Sequence, residues 1–468
     1  MADIFTREEV REMLYGKYIA PTIGKDEVFI GVEIEFPVLN LSRGPVDFGV
    51  VHDLTRRFKA EFGFYTAVID ADKEICSLVR FDNDDILSYD CSYNNLELSF
   101  GKEAELRKIK ERFTAYYTFI QKTLAESGHT LTGLGVNPYR DRNNLVPIPN
   151  GRYRMLFHHL SQYTKYRDRI PMFFHPYPDY GMFSSASQVQ LDVQYYRLVE
   201  TIRAFSLLEP VKGLLFSNSV LTGENEALLC ARDMLWENST HGINPHNIGM
   251  YEPIPETVDE LLEYIASTSI YCTEKEGKYI NFEPVNIVEY FERRQVYGEY
   301  FDAETDTYRD IVFAPKSDDL KYLRSFKLED LTFRGTIEFR SVCCQPVRDA
   351  FSVAAFHLGL LGHTDELCEL FESDRAMYHH GYGAAELRKL FIRRELPVFA
   401  DAKALRGLLI RVLDLASAGL RERGLGEEVE LLPLYERAER LTNPARELLA
   451  RTDAGESVEN VVRDYAAL

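Results

Sequence analysis

Gly31-Val-Glu-Ile-Glu-Phe-Pro37 alternates apolar and acidic residues with a period of two, the spacing of a β-strand. Val32, Ile34 and Phe36 face one way, and Glu33 and Glu35 face the other. Two carboxylates on one strand face repel each other unless a cation sits between them. A lone E-x-E reads best as a solvated edge strand, but here the pattern returns three times. Ser92-Tyr-Asn-Asn-Leu-Glu-Leu-Ser-Phe100 sets Glu97 opposite Leu96, Leu98 and Phe100. Phe183-Ser-Ser-Ala-Ser-Gln-Val-Gln-Leu-Asp-Val193 sets Gln188, Gln190 and Asp192 opposite Val189, Leu191 and Val193. Arg334-Gly-Thr-Ile-Glu-Phe-Arg-Ser-Val342 sets Glu338 and Arg340 opposite Ile337 and Phe339. Four strands far apart in sequence thus share one design, and the rest of the chain serves to bring them together.

Composition narrows the function classes. The chain has 468 residues, 45% of them hydrophobic, enough for a large core. The formal charge of −20, from 54 Lys+Arg against 74 Asp+Glu, disfavours nucleic-acid binding over a broad surface. No apolar run reaches membrane-spanning length, and residues 1–10 are polar, without a secretory pattern. Seven cysteines are scattered without C-x-x-C or zinc spacing, so reduced thiols in a soluble cytoplasmic protein are expected.

Spacing predicts helices over 8–15, 50–62, 103–125, 195–208 and 257–267, strands near 66–70, 77–81 and 133–138, and an exposed hairpin insertion over 295–312. Beyond Pro346 the β signals stop. Helical spacing governs 348–361, 384–394, 402–423, 430–442 and 458–467. This divides the chain into an α+β catalytic core, 1–345, and a helical region, 346–468, packed on it as one structural unit.

The polar strand faces together hold Glu33, Glu35, Glu97, Gln188, Gln190, Asp192, Glu338 and Arg340, with no His or Cys. Hard oxygen ligands favour Mg²⁺ or Mn²⁺ over zinc. Such cations beside an arginine suit phosphoryl transfer from a nucleotide. No P-loop or kinase signature is present, so the nucleotide needs another architecture. Arg152 lies at the start of a helix and suits an anionic substrate, or is a surface charge. Arg232 and Trp236, four apart, share a helix face. They are either a core tryptophan under a stacked arginine or a substrate clamp. His158 and His159 diverge by about 100° on a helix and are read as packed residues, not ligands.

These residues, in this order, resemble a glutamate–cysteine ligase family, its plant-type branch shared with some bacteria. Gly31–Phe36 is similar to the family's G-x-E-x-E strand, Asn94–Ser99 to F-E-L-S, and Gly151-Arg-Tyr153 to G-R-Y. Gln188–Val193 resembles V-Q-V-N-L-D-F, Leu215–Ser219 resembles A-L-F-A-N-S, Arg232–Trp236 resembles R-S-H-I-W, and Thr336–Arg340 resembles the E-x-R strand. The resemblance implies an α+β fold with a curved antiparallel sheet of glutamine-synthetase catalytic type, helices on its outer face and a helical C-terminal region. It implies an ATP-dependent ligase that phosphorylates the γ-carboxylate of glutamate and lets the cysteine amine displace phosphate, the first step of glutathione synthesis. Metal ligands would be Glu33, Glu35, Glu97, Gln188 and Glu338. Arg340 with Glu338 would be catalytic. Arg152, Arg232, Trp236 and Gln190 would bind substrate. Partners would be glutamate, cysteine and ATP, on a monomer or homodimer, with neither nucleic acid nor membrane. Three departures bear on the acceptor: Asn95-Leu96 ahead of Glu97, Ser341-Val-Cys-Cys344 after E-x-R, and the 295–312 hairpin. The rivals are a ligase of the same scaffold with another amine, a metal-dependent phosphohydrolase, and a catalytically silent binding subunit.

Overall fold

The structure, a computed structural model, describes residues 4–468. The absence of a secretory pattern over residues 1–10 falls partly on 1–3, which lie outside the described residues. β1 (Ile30–Asn40) is the spine of a nine-stranded sheet with β2 (Tyr65–Ile69), β3 (Ile75–Val79), β4 (Ile86–Tyr89), β5 (Asn95–Glu103), β6 (His129–Leu131), β7 (Ser187–Asp192), β14 (Glu329–Leu331) and β15 (Thr336–Phe339). The order is β14-β15-β7-β1-β5-β4-β3-β2, every pair antiparallel, with β6 also on β1. β9 (Ser269–Lys275), β10 (Lys278–Asn286), β11 (Val296–Asp302) and β12 (Thr307–Phe313) form a second sheet. Short β8 (Ile248–Gly249) and β13 (Phe326–Lys327) pair in parallel.

The helices before the C-terminal region are α1 (Arg7–Leu14), α2 (Phe48–Phe62), α3 (Leu106–Ala125), α4 (Gly151–Ser161), α5 (Tyr163–Tyr166), α6 (Leu198–Phe216), α7 (Ala231–Glu237), α8 (Val258–Ala266) and α9 (Ile287–Glu292). Then come α10 (Ala350–Leu361), α11 (Thr364–Ser373), α12 (Ala384–Phe391), α13 (Ala402–Arg423), α14 (Leu432–Arg440), α15 (Pro444–Asp453) and α16 (Val458–Tyr465). Among the described residues no helix is long and apolar enough to cross a membrane. Their starts are written in sequence: Thr6 and Glu9 close a capping box on α1, and Asp47 caps α2.

Register explains the architecture. Glu35 lies opposite Glu97 across β1 and β5, and Glu33 lies opposite Gln188 across β1 and β7. Glu338 lies opposite Gln190 across β15 and β7. A slip of one residue would turn every acid toward the core. What prevents it is the opposite face, where Val32, Ile34, Phe36, Leu96, Leu98, Val189, Leu191, Ile337 and Phe339 are all buried. Phe36 meets Phe113 and Tyr117 of α3, Phe113 meets Phe351 of α10, and Phe339 meets Phe205 of α6. Each large apolar side chain buried there contributes about 1.5–3 kcal/mol, enough together to hold mutually repelling acids on the other face.

The observed elements differ from expectation in several places. Residues 133–138 are no strand, only an isolated bridge from Val136 to Ser184. Backbone packs too closely there for a sheet: a Cβ on Gly133 would lie 2.2 Å from the Gln345 carbonyl oxygen. The helix read over 195–208 extends through Pro210 to Phe216, because its buried surroundings outweigh one lost backbone hydrogen bond. The 295–312 hairpin forms, but it is no free insertion: β11 pairs with β10, and Glu299 receives a 2.8 Å hydrogen bond from His158 of α4. α11 and α15 had no counterpart in the sequence reading.

Candidate active site

β1 and β5 carry Glu33, Glu35 and Glu97 side by side, with one oxygen of each within 4.8 Å of the others. Buried backbone and hydroxyl groups fix them. The Ala186 N–H donates to Glu35 at 2.7 Å, and the Ser88 and Ser99 hydroxyls donate to Glu97 at 3.2 and 2.7 Å. Gln188 on β7 donates its amide NH₂ to Glu33 at 2.9 Å and to Glu35 at 2.8 Å. Burial pushes the Glu97 carboxyl up to about 7, helped by Asp90 and resisted by Ser99 and Ser88. Burial and then Asp90 push Glu35 up to about 8 against the pull of Arg232. Glu33 is raised well above the usual range by burial, then by Glu97, Glu338 and Glu35.

This arrangement fits a hard divalent cation. The donor set is all oxygen, the acids repel one another, and the buried Gln188 Oε1 has no hydrogen-bond partner. An amide that gives NH₂ to two acids and leaves its oxygen orphaned has a lone pair free to meet a cation.

The second pair of polar strands extends the face. Arg340 donates to Glu338 at 2.6 Å, and Gln190 donates to the other Glu338 oxygen at 2.9 Å. Gln190 in turn accepts from Arg334 at 3.0 Å, so it bridges two wall residues instead of standing in the wall. Asp192, grouped with them by spacing, is paired with Lys25 and accepts from the Phe29 N–H at 3.1 Å. The sheet face opens into a cavity of about 360 Å³ whose walls include Glu35, Gln188, Glu338, Arg340, Arg152 and both residues of the α7 pair, Arg232 and Trp236.

Trp236 is covered by aromatic rings, Tyr180 edge-on at 5.1 Å and Phe326 tilted at 4.8 Å, and not by Arg232. Arg232 instead reaches the Val342 carbonyl at 3.4 Å, and its buried Nε lacks a partner. Arg152 enters the cavity from α4, whose first turn is capped by Asn150. The histidines behave as packed residues: His158 bonds Glu299, and His159 stacks on Tyr271 at 4.0 Å.

Sequence reasoning missed Asp90, Arg324, Asp330 and Lys17, all in the cavity wall. Asp90 sits in the tight turn before β5, next to Cys91 at φ 59°, where strand periodicity is silent. Asp330 was within reach of the period-two argument, since it pairs with Glu338 across β14 and β15. Its carboxyl is pushed up to about 6 by burial, against the pull of Arg340, and accepts from Ser325 at 2.5 Å.

The chain is similar to known proteins. A chloroplastic glutamate–cysteine ligase of Brassica juncea is 22% identical over 382 residues, 79% of this chain and 68% of that one. A glutamate–cysteine ligase of Francisella tularensis, solved in complex with AMP, superposes with a TM-score of 0.48 at 11% identity, covering 95% of this chain and 89% of that one. A bifunctional glutathione synthetase of Pasteurella multocida gives a TM-score of 0.42 at 11% identity, covering 98% of this chain and 53% of that one. The sequence model of glutamate–cysteine ligase family 2 matches residues 29–464. Because that match starts just ahead of the Glu33 strand and ends within the last helix, this chain belongs to glutamate–cysteine ligase family 2.

Proposed function

We propose that the cavity joins the γ-carboxylate of glutamate to the amine of cysteine, with ATP as co-substrate and a γ-glutamyl phosphate between the two half-reactions. Family membership supports the ligase activity, and the observation that carries the site assignment is the three-carboxylate cluster on β1 and β5 in the same sheet as the Glu338–Arg340 pair, one strand away across β7. Glu33, Glu35, Glu97, Gln188 and Glu338 would hold Mg²⁺ or Mn²⁺, which when bound supplies charge neutralisation for the nucleotide phosphates. Arg340, held by Glu338, points a fixed planar donor at the phosphoryl group in transfer. Arg232 and Arg152 pair with substrate carboxylates, Trp236 walls the amino-acid site, and Gln190 orients Glu338 and Arg334. Enclosure matters because an acyl phosphate reached by water is hydrolysed before the amine arrives. The seven free thiols, six of them buried, support a cytoplasmic location.

The test is ADP release from Mg-ATP and glutamate across a panel of amines. Cysteine should give the fastest turnover. 2-Aminobutyrate, with a methyl for the thiol, should follow within the ~1–3 kcal/mol by which an apolar pocket separates near-isosteres. Leucine and polyamines should sit near background. No product with cysteine alongside good turnover of another amine would replace the acceptor but keep the ligase. ATP hydrolysis independent of both glutamate and amine would point to a phosphohydrolase.

A further inference from the structure

Behind the cavity lies a largely buried cluster of charges that the proposed chemistry does not use. Arg388 of α12, only 4% exposed, has its guanidinium engaged on all sides. Its Nε and one terminal nitrogen grip both oxygens of Asp233 at 2.7 and 3.0 Å. The other terminal nitrogen meets the Glu209 carboxylate at 2.5 Å and the Glu209 carbonyl at 3.1 Å. A last contact of 3.4 Å reaches the Ser341 carbonyl. Glu209, fully buried on α6, also accepts from the Ser341 hydroxyl at 2.9 Å and pairs with Lys212. A third buried acid, Glu329, lies against Glu209, its carboxyl held well above the usual range by burial and then by Glu209, so Glu209 and Asp233 carry the negative charge that balances Lys212 and Arg388.

The neighbours of this cluster are what give it meaning. Asp233 follows Arg232 on α7, and Ser341 follows Arg340 at the end of β15. One guanidinium from the C-terminal helices therefore grips the two segments that carry Arg232 and Arg340, two of the cavity's arginines. A salt bridge serving stability alone is often replaceable by apolar packing without loss, so burial of charge here calls for a specific return. We propose that Arg388 is a positioning residue for catalysis, setting Arg232 and Arg340 at their working separation; this rests on the roles given to those two arginines above.

The experiment compares Arg388→Lys, which keeps the charge and loses the planar fork, with Leu387→Val, a core change in the same turn of α12. The assay uses the amine that gives the highest turnover. In folded Arg388→Lys protein, kcat should fall about tenfold or more and KM for glutamate should rise severalfold, with KM for ATP within about twofold. Leu387→Val should lower Tm with both constants unchanged. Combined with Arg340→Lys, the Arg388→Lys defect should be far from multiplicative, as expected for groups acting as one unit. A drop in Tm with unchanged kinetics, or fully multiplicative effects with both Arg340→Lys and Arg232→Lys, would overturn the proposal. Should Arg388→Lys not fold, Asp233→Asn loosens the same grip from its more exposed end and carries the same two expectations. If Arg340→Lys alone leaves turnover intact, the site reading fails instead of this inference.

Discussion

Gln188 bridges Glu33 and Glu35 on one strand face, and its two N–H bonds screen acids that would otherwise repel. Glu33→Gln or Glu35→Gln should therefore leave the metal-free protein as stable as wild type or more so. A saturating cation stabilises by about 2.7 kcal/mol at a hundred times its Kd. The Mg²⁺- or Mn²⁺-induced rise in Tm should be lost in both variants, and an undiminished rise would remove these residues from the site. Arg340→Lys tests the phosphoryl contact: kcat should fall on the order of 10²-fold with little change in ATP affinity. Weakened ATP binding with intact turnover would make Arg340 a binding residue. Glu209 gives a pH signature. Burial alone would raise its carboxyl, but Lys212 and Arg388 pull it down to about 2 from 4.5. A depressed folded-state value stabilises above about 4.5, and that contribution fades as pH falls toward about 2. Urea midpoints of wild type and Glu209→Gln should differ most near neutrality and converge between those two values. A gap that stays constant to the acid end would show that the Glu209 charge is not what stabilises.

At the scale of elements, the β14–β15 hairpin shows how tightly the site strands are located. Gly335 turns the chain at φ 68°, and a Cβ there would lie 2.3 Å from the Pro21 carbonyl oxygen. Gly335→Ala meets both left-handed strain and overpacking, costing about 1–3 kcal/mol from the latter alone. Denaturant midpoints should show that loss, and kcat should fall with it because β15 carries Glu338 and leads directly into Arg340. A variant as stable and active as wild type would show that the hairpin can shift freely. The strands themselves were readable because each has a buried face and a polar face, which writes a period of two. The run 133–138 failed that test for a reason invisible in one dimension: two other segments press on its glycines.

At the scale of the molecule, α10 ties the C-terminal helices to α3 through Phe351 on Phe113, and Arg388 and Arg437 reach back to Ser341 and Gln345. Residues 1–345 and 346–468 should accordingly unfold in one calorimetric transition, and a chain ending at Gln345 should not reach a native fold. Two resolved transitions, or a soluble and cooperative truncated core, would separate the two regions. Arg437, 5% exposed and bonded to the Leu215 carbonyl, Gln345 and Asp349, is a second tie of the same kind.

The sequence by itself determined the four site strands, the acids they present and the oxygen character of the donor set, since alternation and residue chemistry are local. It also carried the ligase family, through motifs whose order survives along the chain. Only the tertiary structure decided that the strands lie in the order β15-β7-β1-β5, so that Glu35 meets Glu97 and Glu33 meets Gln188. Pairing across more than sixty residues is fixed by the shared apolar face and the helices packed on it, not by any one strand. Asp90 and Arg324 stayed hidden because turns carry no period. Arg388 stayed hidden because a buried arginine on an amphipathic helix reads, in sequence, as a surface charge. What makes it different is the set of carboxylates and carbonyls that three distant segments bring around it.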